Sequence, residues 1–157
     1  MKILIGAPVR QNEEIFKEYL KSLDNLEKPC QIDRFFYLHN SKELTKYLNR
    51  EEFLLAMSND EYKKDEVTHY WKQANLQIIT YLKNELLKRT LEGGYDYFML
   101  VDSDLILHPK TLVSLLEADK PIVSEVFWTK WQPDSEALPN AWDLDQATSY
   151  EGSYDLW

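Results

Sequence analysis

Short apolar runs alternate along the chain with longer segments in which apolar residues recur every three or four positions. The apolar runs predict buried strands at 3–9, 32–38, 97–101 and 122–128. The periodic segments predict amphipathic helices at about 12–26, 41–48 and 68–92, and from 109 onward. Strands and helices that alternate at these lengths indicate a mostly parallel sheet with helices on both faces, a three-layer α/β/α fold.

Turn and cap residues mark where these elements begin and end. Pro8 has no N–H to donate and should end the ladder pairing of the first strand. Asn12 is predicted to cap the first helix, because its side chain can accept a hydrogen bond from the first turn. Gly93-Gly94 should end the longest helix, and Pro109 should begin the last one. The charged run 58–67 predicts a loop.

The tail after Trp128 has a different character. It is rich in Trp, Tyr, Asp and Pro, shows no clear period, and ends on Trp157 without a capping element. We therefore expect residues 1–128 to form one α/β domain, and residues 129–157 to be a further segment of it that is incomplete at the C-terminus.

Composition and charge narrow the class of protein. A formal net charge of −9 argues against a nucleic-acid partner, because phosphate binding needs a basic face. The only cysteine, Cys30, cannot form a disulfide within the chain, which fits a reducing compartment. No apolar run approaches the roughly 20 residues that span a membrane. We expect a cytoplasmic protein without a transmembrane segment.

Two carboxylates follow the apolar run 97–101 directly, at Asp102 and Asp104. Ligands of parallel sheets bind beyond the carboxyl ends of the strands. In an extended segment these two side chains would point the same way, with Cα atoms about 6.5 Å apart. The pair predicts a Mn²⁺ or Mg²⁺ site, since adjacent like charges are otherwise costly. The alternative is that both residues only turn the chain.

Four segments, taken in order, resemble a GT-A glycosyltransferase of the family 2-like kind. They are the strand and turn ILIGAPVRQNEE, the helix KQANLQIITYLKN, the Asp-x-Asp segment YDYFMLVDSDLILHPKTL, and the acceptor-side segment FWTKWQP with LPNAW. The similarity covers most of residues 1–145. It implies that residues 1–128 bind a UDP- or GDP-linked sugar. A carbohydrate or other hydroxyl acceptor would meet the sugar on the side formed by residues 129–157, with a divalent metal assisting transfer.

The resemblance also implies a set of site residues at the ends of the strands. Asp104 would be the principal metal ligand, Asp102 would contact the ribose or the metal through water, and Ser103 would place its backbone against the nucleotide. The implied nucleotide-binding residues are Pro8, Val9, Arg10, Asn40, Asn75, Asp102, Ser103 and Asp104. The implied metal ligands are Asp102 and Asp104.

Several of these positions depart from the family pattern or have a plainer interpretation. The family's Asn comes one residue earlier than Asn12, so either Gln11 or Asn12 takes its place, or Asn12 is only a helix cap. Asn40 stands where the family often has a base-reading Asp, which puts uracil specificity in doubt. Arg10 is otherwise a solvated loop charge, and Asn75 an ordinary polar residue on a packed helix face.

No catalytic base is assigned from the sequence. Four carboxylates on the expected acceptor side are candidates, and none lies in a recognisable motif: Asp134, Glu136, Asp143 and Asp145. A fifth, Glu125, lies on the predicted last strand and could instead be buried in a pair. The alternative function is a truncated or degenerate domain that binds nucleotide without turnover. A haloacid dehalogenase-like phosphatase would carry its Asp pair after the first strand. A nucleotidyltransferase would need a Gly-rich phosphate loop where this chain has Gly6 alone.

Overall fold

The computed structural model describes residues 1–59, 63–64, 69–70, 72–130, 134 and 136–139. The strands and helices follow in chain order: β1 (Lys2–Val9), α1 (Glu13–Asp24), β2 (Gln31–His39), two 3₁₀ helices (Lys42–Tyr47 and Arg50–Glu52), β3 (Phe53–Ala56), β4 (Lys63–Lys64), β5 (His69–Tyr70), α2 (Gln73–Glu92), β6 (Tyr97–Leu100), α3 (Thr111–Glu117), β7 (Trp128–Thr129) and β8 (Leu138–Pro139).

Four of these strands form one parallel sheet in the order β3-β2-β1-β6. On one face, Phe16 and Tyr19 of α1 and Leu112 of α3 share a core with the side chains of β1. On the other face, Leu86 of α2 packs with Leu4 and Phe35. Helices therefore cover both faces, and the predicted three-layer α/β/α fold with a parallel sheet is confirmed.

The central strand β1 fixes how closely α2 approaches the sheet. It is buried along most of its length, as expected for a strand covered on both faces. A Cβ at Gly6 would lie 2.7 Å from the carbonyl oxygen of Phe35 and 3.0 Å from the side chain of Leu86. Only glycine fits this contact, so Gly6 allows α2 to lie directly over β1.

Predicted end signals are confirmed at two helix ends and, in part, at the end of strand β1. The Asn12 side chain caps α1 by accepting a hydrogen bond of 2.9 Å from the N–H of Ile15. Gly93 ends α2, and Gly94 follows with a positive φ of 64°. Pro8 ends the pairing of β1 toward β6 only, because pairing with β2 continues to Val9.

Two helix starts lie later than predicted. α2 begins at Gln73 rather than Thr68, and Thr68 lies outside the described residues. α3 begins at Thr111, because Pro109 belongs to a turn that precedes it. The predicted helix at 41–48 is a 3₁₀ helix over Lys42–Tyr47.

The prediction of a strand at 122–128 is wrong. Residues 121–127 form no strand, and Ile122 is 93% exposed; β7 begins only at Trp128 and pairs with β8. An apolar run forms a strand only where it can pair with another strand. The free edge of β6 would be the place for residues 122–128, but among the described strands only β1 pairs with β6. Conversely, the short strand β3 was not predicted.

Two predicted segments lie largely beyond what the structure describes. Within the predicted loop 58–67, Lys63–Lys64 pair antiparallel with His69–Tyr70. Of the predicted acceptor-side segment 129–157, only the residues around the β7–β8 pair are described. No helix in the described part of the chain is long and apolar enough to cross a membrane.

Candidate functional site

The parallel sheet brings the ends of β1, β2 and β6 to one edge. Gly6 pairs with Leu100, which places Asp102 level with Pro8 on the neighbouring strand. On the other side, Pro8 pairs with Tyr37 of β2, three residues before Asn40. The predicted site residues that follow these three strands therefore share the edge at which ligands of parallel sheets bind.

The two acidic residues lie in a turn rather than in an extended segment. The N–H of Leu105 donates a hydrogen bond of 3.1 Å to the carbonyl of Asp102, which closes the turn. Asp102 and Asp104 are exposed, while Ser103 between them is only 8% exposed. The expected extended geometry is thus wrong, because Asp and Ser favour turns and Leu105 packs back against the core.

Lys83 of α2 brings a positive charge to this turn. Its Nζ lies 3.8 Å from Oδ1 of Asp102, and the two side chains are 36% and 62% exposed. An exposed pair at this distance adds little to stability. The contact was not predicted, since nothing in the sequence marks Lys83 beyond its place on a helix that faces the sheet.

The first turn of α2 reaches the same edge of the sheet. At the far end of α2, the N–H of Asp96 donates to the carbonyl of Lys2, beside the start of β1. Because Leu86 lies over Gly6 in the middle of β1, the helix runs back along the strand toward its carboxyl end. α2 has no side-chain cap at its N-terminus, where backbone N–H groups favour anions.

Asn75, the third residue of α2, carries a buried amide without a hydrogen-bond partner. The residue is 3% exposed, and neither Nδ2 nor Oδ1 has a partner among the residues that the structure describes. Its spacing to Leu82 and Leu86 places it on the sheet-facing side of α2. Buried polar atoms are nearly always paired, so this amide is the kind of group that a bound ligand satisfies.

Asn40 is engaged with the end of β3. Its Nδ2 donates to the carbonyl of Ser58 at 3.0 Å, and its Oδ1 accepts from the N–H of Ser58 at 3.0 Å. The backbone of Asn40 has a positive φ of 50°, which Asn tolerates better than most residues. These contacts hold the ends of β2 and β3 together, and any base-reading role of Asn40 stays a prediction.

The remaining predicted nucleotide-binding residues follow β1. Val9 is buried in the core, whereas Pro8 and Arg10 are half-buried at the edge of the sheet. Their predicted contacts with a base are not tested by the structure.

Tyr19 of α1 forms a hydrogen bond to the backbone just before the Asp102–Asp104 turn. Its hydroxyl donates a hydrogen bond of 3.0 Å to the carbonyl of Val101, the residue before Asp102. Burial raises the pKa of Tyr19 far above its usual range, and the charge of Asp102 raises this pKa further. The phenol therefore remains a hydrogen-bond donor. Sequence patterns identified Tyr19 only as part of an apolar helix face.

The carboxylate oxygens of the Asp102–Asp104 turn suit a hard divalent cation whose remaining ligands come from water and a substrate. No group of three or more His, Cys, Asp or Glu side chains able to hold a metal occurs among the described residues. Mg²⁺ commonly uses one or two carboxylates and takes its remaining ligands from water and substrate phosphates. Asp102 and Asp104 supply such a partial set.

The sequence of this chain matches the family model described as glycosyltransferase family 25, N-terminal domain, over residues 9–132. The match spans most of the chain. The chain belongs to this family. No curated protein and no solved structure matches it significantly.

Family membership confirms the predicted glycosyltransferase. The match is to family 25, and it does not support the expected likeness to family 2. A catalytic base is still not identified in this family 25 domain. Glu125, Asp134 and Glu136 are exposed, while Asp143 and Asp145 lie outside the described residues.

Proposed function

We propose that this domain binds a UDP- or GDP-linked sugar at the carboxyl edge of its sheet and transfers the sugar to a carbohydrate or other hydroxyl acceptor. A GT-A type of site, with the diphosphate beside the Asp102–Asp104 turn, is part of this proposal. The observation that carries it is the buried, unpartnered amide of Asn75 at the edge where the Asp turn ends β6.

The acidic turn would hold a Mn²⁺ or Mg²⁺ ion through Asp104, with Asp102 as a further ligand or a contact to the ribose. When bound, this ion offsets the negative charge of the nucleoside diphosphate leaving group. Lys83, 3.8 Å from Asp102, adds a positive charge beside the same group. The donor diphosphate would thus meet a charge-balanced turn instead of two bare carboxylates.

The neighbouring residues would position the nucleotide. The Asn75 amide can donate to a phosphate or ribose oxygen and accept from a ribose hydroxyl. The uncapped first turn of α2 adds N–H groups that favour the diphosphate. Ser103 and the half-buried Pro8 and Arg10 would line the ribose and base, with Val9 between them anchored in the core.

Nucleotide binding without turnover is the second candidate function. The described candidate bases are Glu125, Asp134 and Glu136. All three are exposed, and no hydrogen bond or ion pair of the described residues joins them to the Asp turn. Release of nucleoside diphosphate from a donor sugar distinguishes the two functions, since only an enzyme releases it repeatedly.

Thermal unfolding with UDP and with GDP, each with and without Mn²⁺, tests the donor site. Ligand at about 100 times its Kd adds about 2.7 kcal/mol of stability. For a domain of this size we expect a Tm rise of about 5–10 °C with nucleotide and Mn²⁺ together. Asp104→Asn should remove the Mn²⁺-dependent part of this rise.

Glu92→Gln is the matched control, because it removes one exposed carboxylate at the opposite end of α2. It should leave the ligand-induced shift unchanged. A Tm rise that persists in Asp104→Asn would contradict the metal role, and no rise with either nucleotide would contradict the donor site.

A further inference from the structure

The carbonyl of Val101 lacks the backbone partner that its place in the sheet calls for. β1 and β6 are parallel, with Gly6 opposite Leu100, and the N–H of Val101 donates to the carbonyl of Gly6. In this register the next donor from β1 toward β6 would be the nitrogen of residue 8. That residue is Pro8, which has no N–H.

Tyr19 takes the place of the missing N–H. Its hydroxyl reaches the Val101 carbonyl at 3.0 Å from α1, on the face of the sheet opposite α2. The side chain is fully buried, and its ring packs with Phe16 and Phe36 at centroid distances of 6.0 Å. The phenol is thus held in position by the core and cannot easily move to another partner.

The hydrogen bond lies at the point where the strand becomes the acidic turn. Val101 is 3% exposed, and the next residue, Asp102, closes the turn through its own carbonyl. An unpaired carbonyl at this position would favour a rotated peptide between Val101 and Asp102, since a buried oxygen seeks a donor. Such a rotation would re-aim both carboxylates.

We propose that Tyr19 is a positioning residue, whose hydroxyl replaces the N–H absent from Pro8 and thereby orients the Asp102–Asp104 turn toward the donor diphosphate. This role rests on the proposed function. Through the backbone of Val101, a residue buried in the core would thus affect the affinity for the ligand.

A double-mutant cycle with Pro8→Ala tests the role, with UDP affinity measured by calorimetry at saturating Mn²⁺. We expect Tyr19→Phe to weaken UDP binding about tenfold, the size of effect that one buried hydrogen bond accounts for. In the Pro8→Ala background, the same change should cost less than about twofold, because the new N–H can serve the Val101 carbonyl. The cycle cancels any separate effect of Pro8 on the nucleotide.

Tyr95→Phe is the matched control. It removes a tyrosine hydroxyl that donates to Asp33 at 2.9 Å, near the opposite edge of the sheet. UDP affinity should not change in this variant. Should Tyr19→Phe alone fail to fold, the double variant Pro8→Ala/Tyr19→Phe decides. If it folds and binds UDP as tightly as Pro8→Ala, the new N–H replaces the hydroxyl and the role is supported. A double variant that still fails to fold, or that binds tenfold more weakly than Pro8→Ala, overturns it.

The outcomes separate this inference from the proposed function. If the wild-type protein shows no Mn²⁺-dependent binding of UDP or GDP, the donor site and the positioning role both fail. If the wild-type protein binds and Tyr19→Phe binds equally well, even with a lowered Tm, the hydroxyl is structural only and the positioning role alone is overturned.

Discussion

The buried side-chain amide of Asn75 destabilises the folded protein at its own position. A buried amide with no partner loses its hydrogen bonds to water and gains none in the described part of the protein. Thr90 lies on the same face of α2 and is also buried, yet its hydroxyl donates to the Leu86 carbonyl at 2.9 Å. This contrast is why we propose a ligand contact for Asn75, whereas Thr90 is hydrogen-bonded within its own helix.

Replacing Asn75 by leucine, whose side chain has the same number and branching of heavy atoms, should therefore separate stability from binding. We expect Asn75→Leu to stabilise the free protein by about 1–2 kcal/mol, since an unsatisfied buried amide is removed. The same change should weaken UDP binding about tenfold or more. Chemical denaturation and calorimetry measure the two quantities on one preparation.

Thr90→Val is the control for this pair of measurements. It replaces a buried polar side chain that has its partner, so it should not stabilise the protein and should leave UDP affinity unchanged. A destabilised Asn75→Leu would show that the amide is satisfied in the folded protein and would remove the main support for the donor site.

Some candidate site residues could be proposed from the sequence and others could not, for a physical reason. Asp102, Asp104 and Asn75 carry groups whose type and place in a motif indicate their chemistry. Tyr19 and Lys83 act through contacts between elements distant in sequence. On the sequence, Tyr19 belongs to an apolar stripe and Lys83 to a charged helix surface, so neither was expected near the acidic turn.

At the scale of elements, predictions were right where residues close in sequence determine the end of a helix. They were wrong where a strand depends on pairing with another strand. Asn12 and Gly93 act on their own helices, and both ends were predicted. The apolar run at 122–128 resembles a strand, yet no described strand receives it. Strand β3 is only four residues long, with Leu54 and Leu55 exposed, and it exists because it pairs with β2.

The structure also bears on whether Asn12 is more than a cap. Its Oδ1 already accepts the Ile15 N–H at 2.9 Å. Asn12→Ala should then destabilise the protein by about 1 kcal/mol, whereas Asn12→Ser should be nearly neutral, because serine caps equally well. Neither change should alter UDP affinity, and chemical denaturation with calorimetry checks both. A loss of affinity in Asn12→Ser would assign the amide to the nucleotide instead.

At the scale of the whole molecule, the carboxylates near the ends of the sheet differ in how fully they are paired. At the amino edge, Arg34 pairs with Asp24 and Glu52 at 2.6 and 2.9 Å. Burial alone would raise the pKa of Asp33, but hydrogen bonds from Tyr95 and Lys2 outweigh it and hold this pKa below its usual value. The carboxylates of this edge are thus used for stability.

At the carboxyl edge, the Asp102–Asp104 turn has only the weak contact to Lys83 among described ion pairs. Glu13 near this edge is ion-paired with Lys17 and Lys46, so the poorly paired carboxylates are those of the turn itself. The whole chain has a net charge of −9, so two carboxylates without cationic partners are repelled by the other negative charges. Holding both in one turn therefore costs free energy.

One ion-pair cluster joins α1 to the 3₁₀ helix Lys42–Tyr47, and we expect it to make the stability of the domain sensitive to acid. Glu13 accepts hydrogen bonds from Lys46 at 2.8 Å and from the hydroxyl of Tyr47, and it lies 3.2 Å from Lys17. Lys46, then Tyr47 and Lys17, lower the pKa of Glu13 from its usual 4.5 to about 2.

Because this pKa is lower in the folded than in the unfolded state, the stabilisation from Glu13 is complete above about pH 5 and is lost as the pH falls toward 2. Glu13→Gln should therefore lower Tm at pH 7, and the difference from wild type should shrink to nearly zero at pH 2. Glu14→Gln is the control, since Glu14 lies in the same first turn and has no ion-pair partner among the described residues. Thermal melts from pH 2 to 7 measure the effect. A Tm difference between wild type and Glu13→Gln that stays constant across this range would show that the cluster does not hold α1 to the 3₁₀ helix through charge.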